Sequence, residues 1–196
     1  MGKTIRETNM SEKRPTEILE EEHHFIQKVV GAVAVLLETL DAGKEVEEKT
    51  LREIVEFMRT FADKCHHGKE ETHLFPALEK KGVPMRGCPL GVLIAEHQKG
   101  RGLVSQLAEA TEAYTKASPL AKESLVKSLR GITDLYPNHI WKEEYLAFPM
   151  ADKILSSEEQ RDLSEKFEMV EKEIGLNVHR RSEQFATELE EKTSGS

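Results

Sequence analysis

The feature that most constrains this chain is a pattern that occurs twice. His66-His67-Gly68-Lys69-Glu70-Glu71 is followed, three residues on, by Phe75-Pro76. His139-Ile140-Trp141-Lys142-Glu143-Glu144 is followed, three residues on, by Phe148-Pro149, at a constant offset of 73 residues. A further His precedes each copy, His23 by 43 residues and His97 by 42. On a helix, residues four apart lie about 40° from each other around the axis, so His66 and Glu70 share a face, as do His139 and Glu143. A repeated unit of one His followed by His-x-x-x-Glu reads as two helix pairs, and two pairs make a four-helix bundle.

The apolar seams agree with that architecture. Helix A is expected to open at Pro15 or Thr16, with Glu17 and Glu20–Glu22 favoured near its N-terminus, and to stop at Gly43. Its seam Leu19, His23, Ile26, Val30, Val33, Leu37, Leu40 alternates steps of four and three. Helix B, from near Glu47, carries Leu51, Val55, Met58 and Ala62 into His66, Glu70 and His73 on one face. Gly68 and Pro76 predict a bend or loosened turn close to the candidate ligands. Helix C shows Leu90, Leu93, His97, Gly100, Val104, Leu107, Thr111 and Tyr114 after a Gly87–Pro89 connection. Helix D, from about Ser118-Pro119, shows Leu125, Leu129, Ile132, Tyr136, His139, Glu143, Leu146 and Met150, with a kink expected at Pro137.

Ser156-Ser157 with Glu158-Glu159 signals a fresh helix start. The stripe that follows is Leu163, Phe167, Val170, Ile174, Val178, Phe185 and Leu189, with Gly175 a candidate break. The expected organisation is an all-α, up-down-up-down four-helix bundle with an additional C-terminal helix. The N-terminal lead covers residues 1–14, the bundle 15–155, the C-terminal helix 156–191 and a disordered tail 192–196.

In such a bundle the starts of A and C and the ends of B and D lie at one end. His23, His66, Glu70, His97, His139 and Glu143 then converge in one core layer. Six titratable groups at core positions are costly to bury unless something pairs with all of them, and a bound metal does so. Imidazole and carboxylate without thiolate suit iron, manganese or zinc. Two carboxylates facing each other across the core suit a bridged pair of ions. Cys65 points about 100° away from His66 and is read as a small core residue.

Composition excludes other classes. A net charge of −8 with no basic stripe argues against a nucleic-acid partner. The longest apolar run, Val29–Leu37, is too short for a bilayer, so no membrane partner is expected. Met1–Arg14 is polar and lacks the apolar core of a secretory signal, which points to a cytoplasmic chain.

Taken together, Glu22-His23, the His66-x-x-x-Glu70-Glu71 block with Leu74-Phe75-Pro76, Glu96-His97-x-x-x-Arg101, and His139-Ile140-x-Lys142-Glu143-Glu144 resemble the hemerythrin-like (HHE cation-binding) proteins. The resemblance spans about Thr16 to Leu155. It implies a non-haem di-iron centre: two iron ions (Fe2+/Fe3+) with a bridging oxo or hydroxo group, meeting a small oxidant such as oxygen, peroxide or nitric oxide. Two departures stand out. Oxygen-carrying members place two His four residues apart on helix C, where this chain has His97 and Arg101. They usually carry Asp at the fifth position after the helix-D His, where this chain has Glu at the fourth and fifth.

Glu143 is taken as the ligand because it matches Glu70 in the repeat, and Glu144 lies about 140° from His139 around the helix. His67, His73 and Glu144 are left open, His73 being on the ligand face. The two-fold pattern gives His23 and His66 to one metal, His97 and His139 to the other, with Glu70 and Glu143 bridging. With Arg101 in place of a further His, both metals keep an open position, and the site is expected to react rather than carry. That expectation requires His67, His73 and Glu144 to stay off the metal. The competing readings are iron sensing or storage, with the metal controlling a partner interaction, and a structural metal, zinc first. The fifth helix supplies no ligand and is expected to be dispensable for metal binding; its stripe could also form a homodimer.

Overall fold

The computed structural model describes residues 13–87, 89–115 and 121–195, and among these it is helical with no strand. Helix α1 is Pro15–Asp41. Proline suits its first turn, where the missing N–H would have had no partner, and Gly43 leaves the helix with φ +80°. Helix α2 covers residues 48–80, in segments Glu48–Phe57, Met58–His67, Glu70–Leu74 and Phe75–Lys80. Helix α3 is Leu90–Thr115. Helix α4 covers residues 121–154, in segments Ala121–Lys142, Glu143–Ala147 and Phe148–Ile154. The expected start of helix D at Ser118-Pro119 lies outside the described residues, as do residues 1–12 of the lead.

Two apolar clusters hold these helices together. The larger combines Ile26–Leu40 of α1, Leu51–Ala62 of α2, Val104–Ala110 of α3 and Leu125–Ile140 of α4. The smaller joins Ile18 and Leu19 to Leu74, Phe75, Leu90, Leu93, Phe148 and Ala151. Between them runs a polar layer in which His23, His66, His67, Glu70, His97, His139 and Glu143 are all buried. Apolar packing on both sides fixes the height of that layer and keeps water from it.

The two Phe-Pro sequences explain a departure from regular helix. Glu70–Leu74 and Glu143–Ala147, each directly ahead of one of them, are π-helical; Met58–His67 is π-helical too, but lies beyond the reach of either proline. Proline has no N–H and its ring crowds the carbonyl four residues back, so the ladder ahead of it widens. The Phe75 N–H bonds the Glu70 carbonyl and the Phe148 N–H bonds the Glu143 carbonyl, each an i→i+5 bond that begins at a candidate ligand. A widened turn holds extra chain and moves the inward face on by one residue. Leu146, expected in the seam, is therefore exposed, Met150 is only partly buried, and Ala147 and Ala151 are buried instead. In α2 the same shift buries Leu74 and turns His73 off the ligand face.

The expected single C-terminal helix is two helices meeting at Gly175, whose φ is +105°. These are α5, Ser157–Ile174, capped by Ser156 and Glu159 as the sequence signals, and α6, Leu176–Ser194. Helix runs on to Ser194, past the expected end at 191 and into the stretch read as a disordered tail. Both helices lie along α1, with Ser164 near Lys13, His179 near Glu22 and Glu190 near Lys28. Part of the stripe packs within this chain: Leu163 and Phe167 join the smaller cluster, and Leu189 and the partly buried Phe185 the larger. This cover explains why α1 buries a second face, Ile18, Glu22, Val29 and Ala32, beside its expected seam.

Candidate metal centre

All six residues expected as ligands meet in the polar layer, and the Nε2 atoms of four imidazoles face two carboxylates. His23 Nε2 lies 3.0 Å from Glu143 Oε2, and His139 Nε2 lies 3.1 Å from Glu143 Oε1. His97 Nε2 is 3.4 Å from both Glu70 Oε2 and Glu143 Oε1. His66 Nε2 is 3.8 Å from Glu70 Oε2. The donor atoms fall into two compact groups within 4.8 Å: His23, His66, Glu70 and Glu143, and His67, His97 and His139.

The outward nitrogens carry the same two-fold order. His66 Nδ1 donates to Glu22 at 3.1 Å and His139 Nδ1 to Glu96 at 3.2 Å. His23 Nδ1 donates to Glu144 at 2.9 Å and His97 Nδ1 to Glu71 at 2.6 Å. A proton held at Nδ1 leaves the Nε2 lone pair facing inward, the tautomer a metal requires. Glu144 is thus an acceptor for His23, with no part in the inner set.

Six buried atoms in this layer have no hydrogen-bond partner: His66 Nε2, both ring nitrogens of His67, both Glu70 oxygens and His139 Nε2. The His139–Glu143 approach is close but lacks hydrogen-bond geometry. Such orphans are rare in folded proteins because each forfeits its hydration without compensation. Their number, their types and their common focus fit a metal of imidazole and carboxylate preference.

In the metal-free chain the protons are divided unevenly. Burial, reinforced by the nearby Glu143, pushes Glu70 well above the usual carboxylate range. Burial acts on Glu143 in the same sense, but the surrounding His139, His23 and His97 hold it well below that range. Burial and the charge on His23 lower His66 to about 4. His67 is depressed by burial and by its neighbouring imidazoles, of which His97 acts most strongly. His23 is buried too, yet Glu143 and Glu144 raise it to about 9.

His67 is the residue the repeat pattern does not supply, since its counterpart is Ile140. A π turn separates adjacent positions by less than the roughly 100° of an α-helix, so His66 and His67 both reach the layer. The signal available in sequence was the pair of adjacent His ahead of Gly68. His73 is half-buried near Phe167, 6.4 Å between ring centroids, away from the cluster. Arg101 is on the outside, bonding Asp63 at 2.7 Å and Glu71 at 2.8 Å. Cys65 is buried against Glu22, and burial pushes its thiol up, away from the thiolate a metal takes. Glu22, Cys65 and His179 form a third compact group, but the Lys69 ammonium, 2.5 Å from Glu22 Oε1, already supplies its cation.

With fold and site in view, comparison with known proteins agrees. The hemerythrin HHE cation binding domain matches residues 14–151, and the chain belongs to that family. Uncharacterized proteins of Mycobacterium bovis and Mycobacterium tuberculosis are 26% identical over 170 residues, 85% of this chain. The chain spans 66% of the length of these curated relatives. No solved structure matches it. No helix among the described residues is long and apolar enough to cross a membrane.

Proposed function

We propose that this is a cytoplasmic non-haem di-iron protein, an up-down-up-down four-helix bundle with helical C-terminal cover, that binds or reduces a small oxidant: oxygen, peroxide or nitric oxide. The observation that carries the reading is the convergence of five buried imidazoles and two buried carboxylates, six of whose polar atoms lack a hydrogen-bond partner. His23 and His66 would hold one iron and His67, His97 and His139 the other. Glu70 and Glu143, each within reach of imidazoles from both groups, would bridge them. A bound iron pair supplies electrons and open coordination for the oxidant.

The chain's own residues do the rest. Glu22, Glu96, Glu144 and Glu71 orient four imidazoles through Nδ1. Phe75 and Phe148 stack against His97 and His23, with centroids at 5.9 and 5.4 Å, and exclude water from that side.

His67 alters the balance drawn from the sequence. In this reading its place beside His97 and His139 fills the gap left by Arg101, and the expectation that both metals keep an open position gives way to one preferred opening. Three imidazoles face two, and the oxidant is assigned to the His23/His66 position. The test is metal analysis of protein purified without oxygen, followed by absorption spectra on air exposure. About two irons per chain and a spectrum that changes with redox state are expected for paired ligand sets. A colourless zinc-loaded chain with no redox response would replace this reading with a structural metal.

A further inference from the structure

Outside the ligands the repeat continues for one more step and then breaks. In each half a glutamate accepts the Nδ1–H of the His-x-x-x-Glu histidine, and a lysine three residues beyond that histidine binds its other oxygen. Lys69 Nζ donates to Glu22 Oε1 at 2.5 Å, and Lys142 Nζ donates to Glu96 Oε1 at 2.5 Å. The halves differ in what lies behind the lysine. The Lys142 side chain is 30% exposed, whereas that of Lys69 is 0% exposed. The buried ammonium is shared with Glu171 of α5 at 2.6 Å and lies 5.7 Å from the centre of the Phe167 ring. His179 of α6 approaches the same Glu22 oxygen at 3.2 Å.

We propose that Glu171, acting through Lys69 and Glu22, is a positioning residue for His66, so that the C-terminal helices clamp one half of the metal centre. The inference rests on the di-metal reading of that centre. Both Glu22 oxygens are committed, one to His66 and one to Lys69, and Lys69 is fixed in turn between two carboxylates. Glu22 therefore cannot rotate away without stranding a buried charge, and His66 keeps its Nε2 toward the site. Among the described residues Glu96 has only a solvent-reaching lysine behind it, and it is held less tightly. The C-terminal helices, expected from sequence to be dispensable, are thus part of the support for one metal position. Carboxylates that orient ligating histidines affect metal retention by about 10–100-fold.

The experiment uses the full chain loaded anaerobically with ferrous iron and challenged with a ferrous chelator. Glu171→Gln and Lys69→Met are compared with Lys142→Met, the matched change in the other half. Wild type that takes up no metal pair would overturn the di-metal reading and, with it, the clamp. With the pair present, Glu171→Gln and Lys69→Met should speed release of one ion by about 10–100-fold and leave the other near wild type. Lys142→Met, made at a partly exposed pair, should change release by less than about threefold. Should Lys69→Met fail to fold, the milder Glu171→Gln decides. Unchanged release, equal acceleration of both ions alongside a lower Tm, or an effect of Lys142→Met as large as that of Glu171→Gln would overturn the proposal.

Discussion

The imidazole of His67 on α2 stacks on that of His97 on α3, ring centroids 3.8 Å apart and planes 13° from parallel. His139 meets both rings edge-on, at 5.6 Å and 4.8 Å. Neither nitrogen of His67 makes a hydrogen bond, although Nδ1 lies 3.5 Å from Asp63 Oδ1, and Nε2 is the atom free to meet a metal. His67→Ala should take the chain from about two metal ions toward one, and His73→Ala should leave the number unchanged, since only His67 shares a donor group. Metal content by mass spectrometry checks both. Full loading in His67→Ala would remove it from the ligand set.

The uneven imidazole count predicts how small anions bind. Under the proposed di-iron reading, three histidines at one position and two at the other would leave one preferred opening per chain. Azide added to the oxidised, iron-loaded protein should bind once per pair of irons, and His66→Ala should disturb the resulting band more than His139→Ala. Two equivalent azides per pair would restore the symmetric site expected from the repeat.

Proton competition gives a signed pH dependence. Burial alone would lower His23, but Glu143 and Glu144 raise it to about 9 in the metal-free chain. Below that pH the Nε2 lone pair is occupied by a proton which the metal must displace. Uptake near pH 7 should therefore release protons, and apparent affinity should climb between pH 7 and 9 by roughly tenfold per unit for each proton displaced. His66, lowered to about 4, is already neutral there and adds nothing to the slope. Calorimetric titration in buffers of different ionisation enthalpy measures the release. A heat independent of buffer would contradict the argument.

The one-residue shift of register at the π turns can be read as stability. Leu74→Ala, at a fully buried side chain, should cost about 2–5 kcal/mol. Leu146→Ala, at a side chain left exposed by the same shift, should stay within about 0.5 kcal/mol. Urea unfolding of the metal-free variants compares them. Equal costs would mean that the α-helical register persists through residues 143–147.

Much of this protein was legible in sequence because it depends on local periodicity. The repeat at 73 residues, the α1 seam through His23 and the capping box at Ser156 each need only a helix and its near neighbours, and each is found as read. The same periodicity places His23, His66, Glu70, His97, His139 and Glu143 on inward faces, and packing brings all six together. What sequence could not settle was decided where helix meets helix. Pro76 and Pro149 widen the preceding turns, and that rotation excludes His73, admits Leu74 and exposes Leu146. Whether His67 enters the site depends on the π-helical stretch Met58–His67, which packs against α1, α3, α5 and α6. The role of α5 and α6 was equally hidden, because Lys69 and Glu171 are 102 residues apart. No period in the chain announces that two such charges will be buried together.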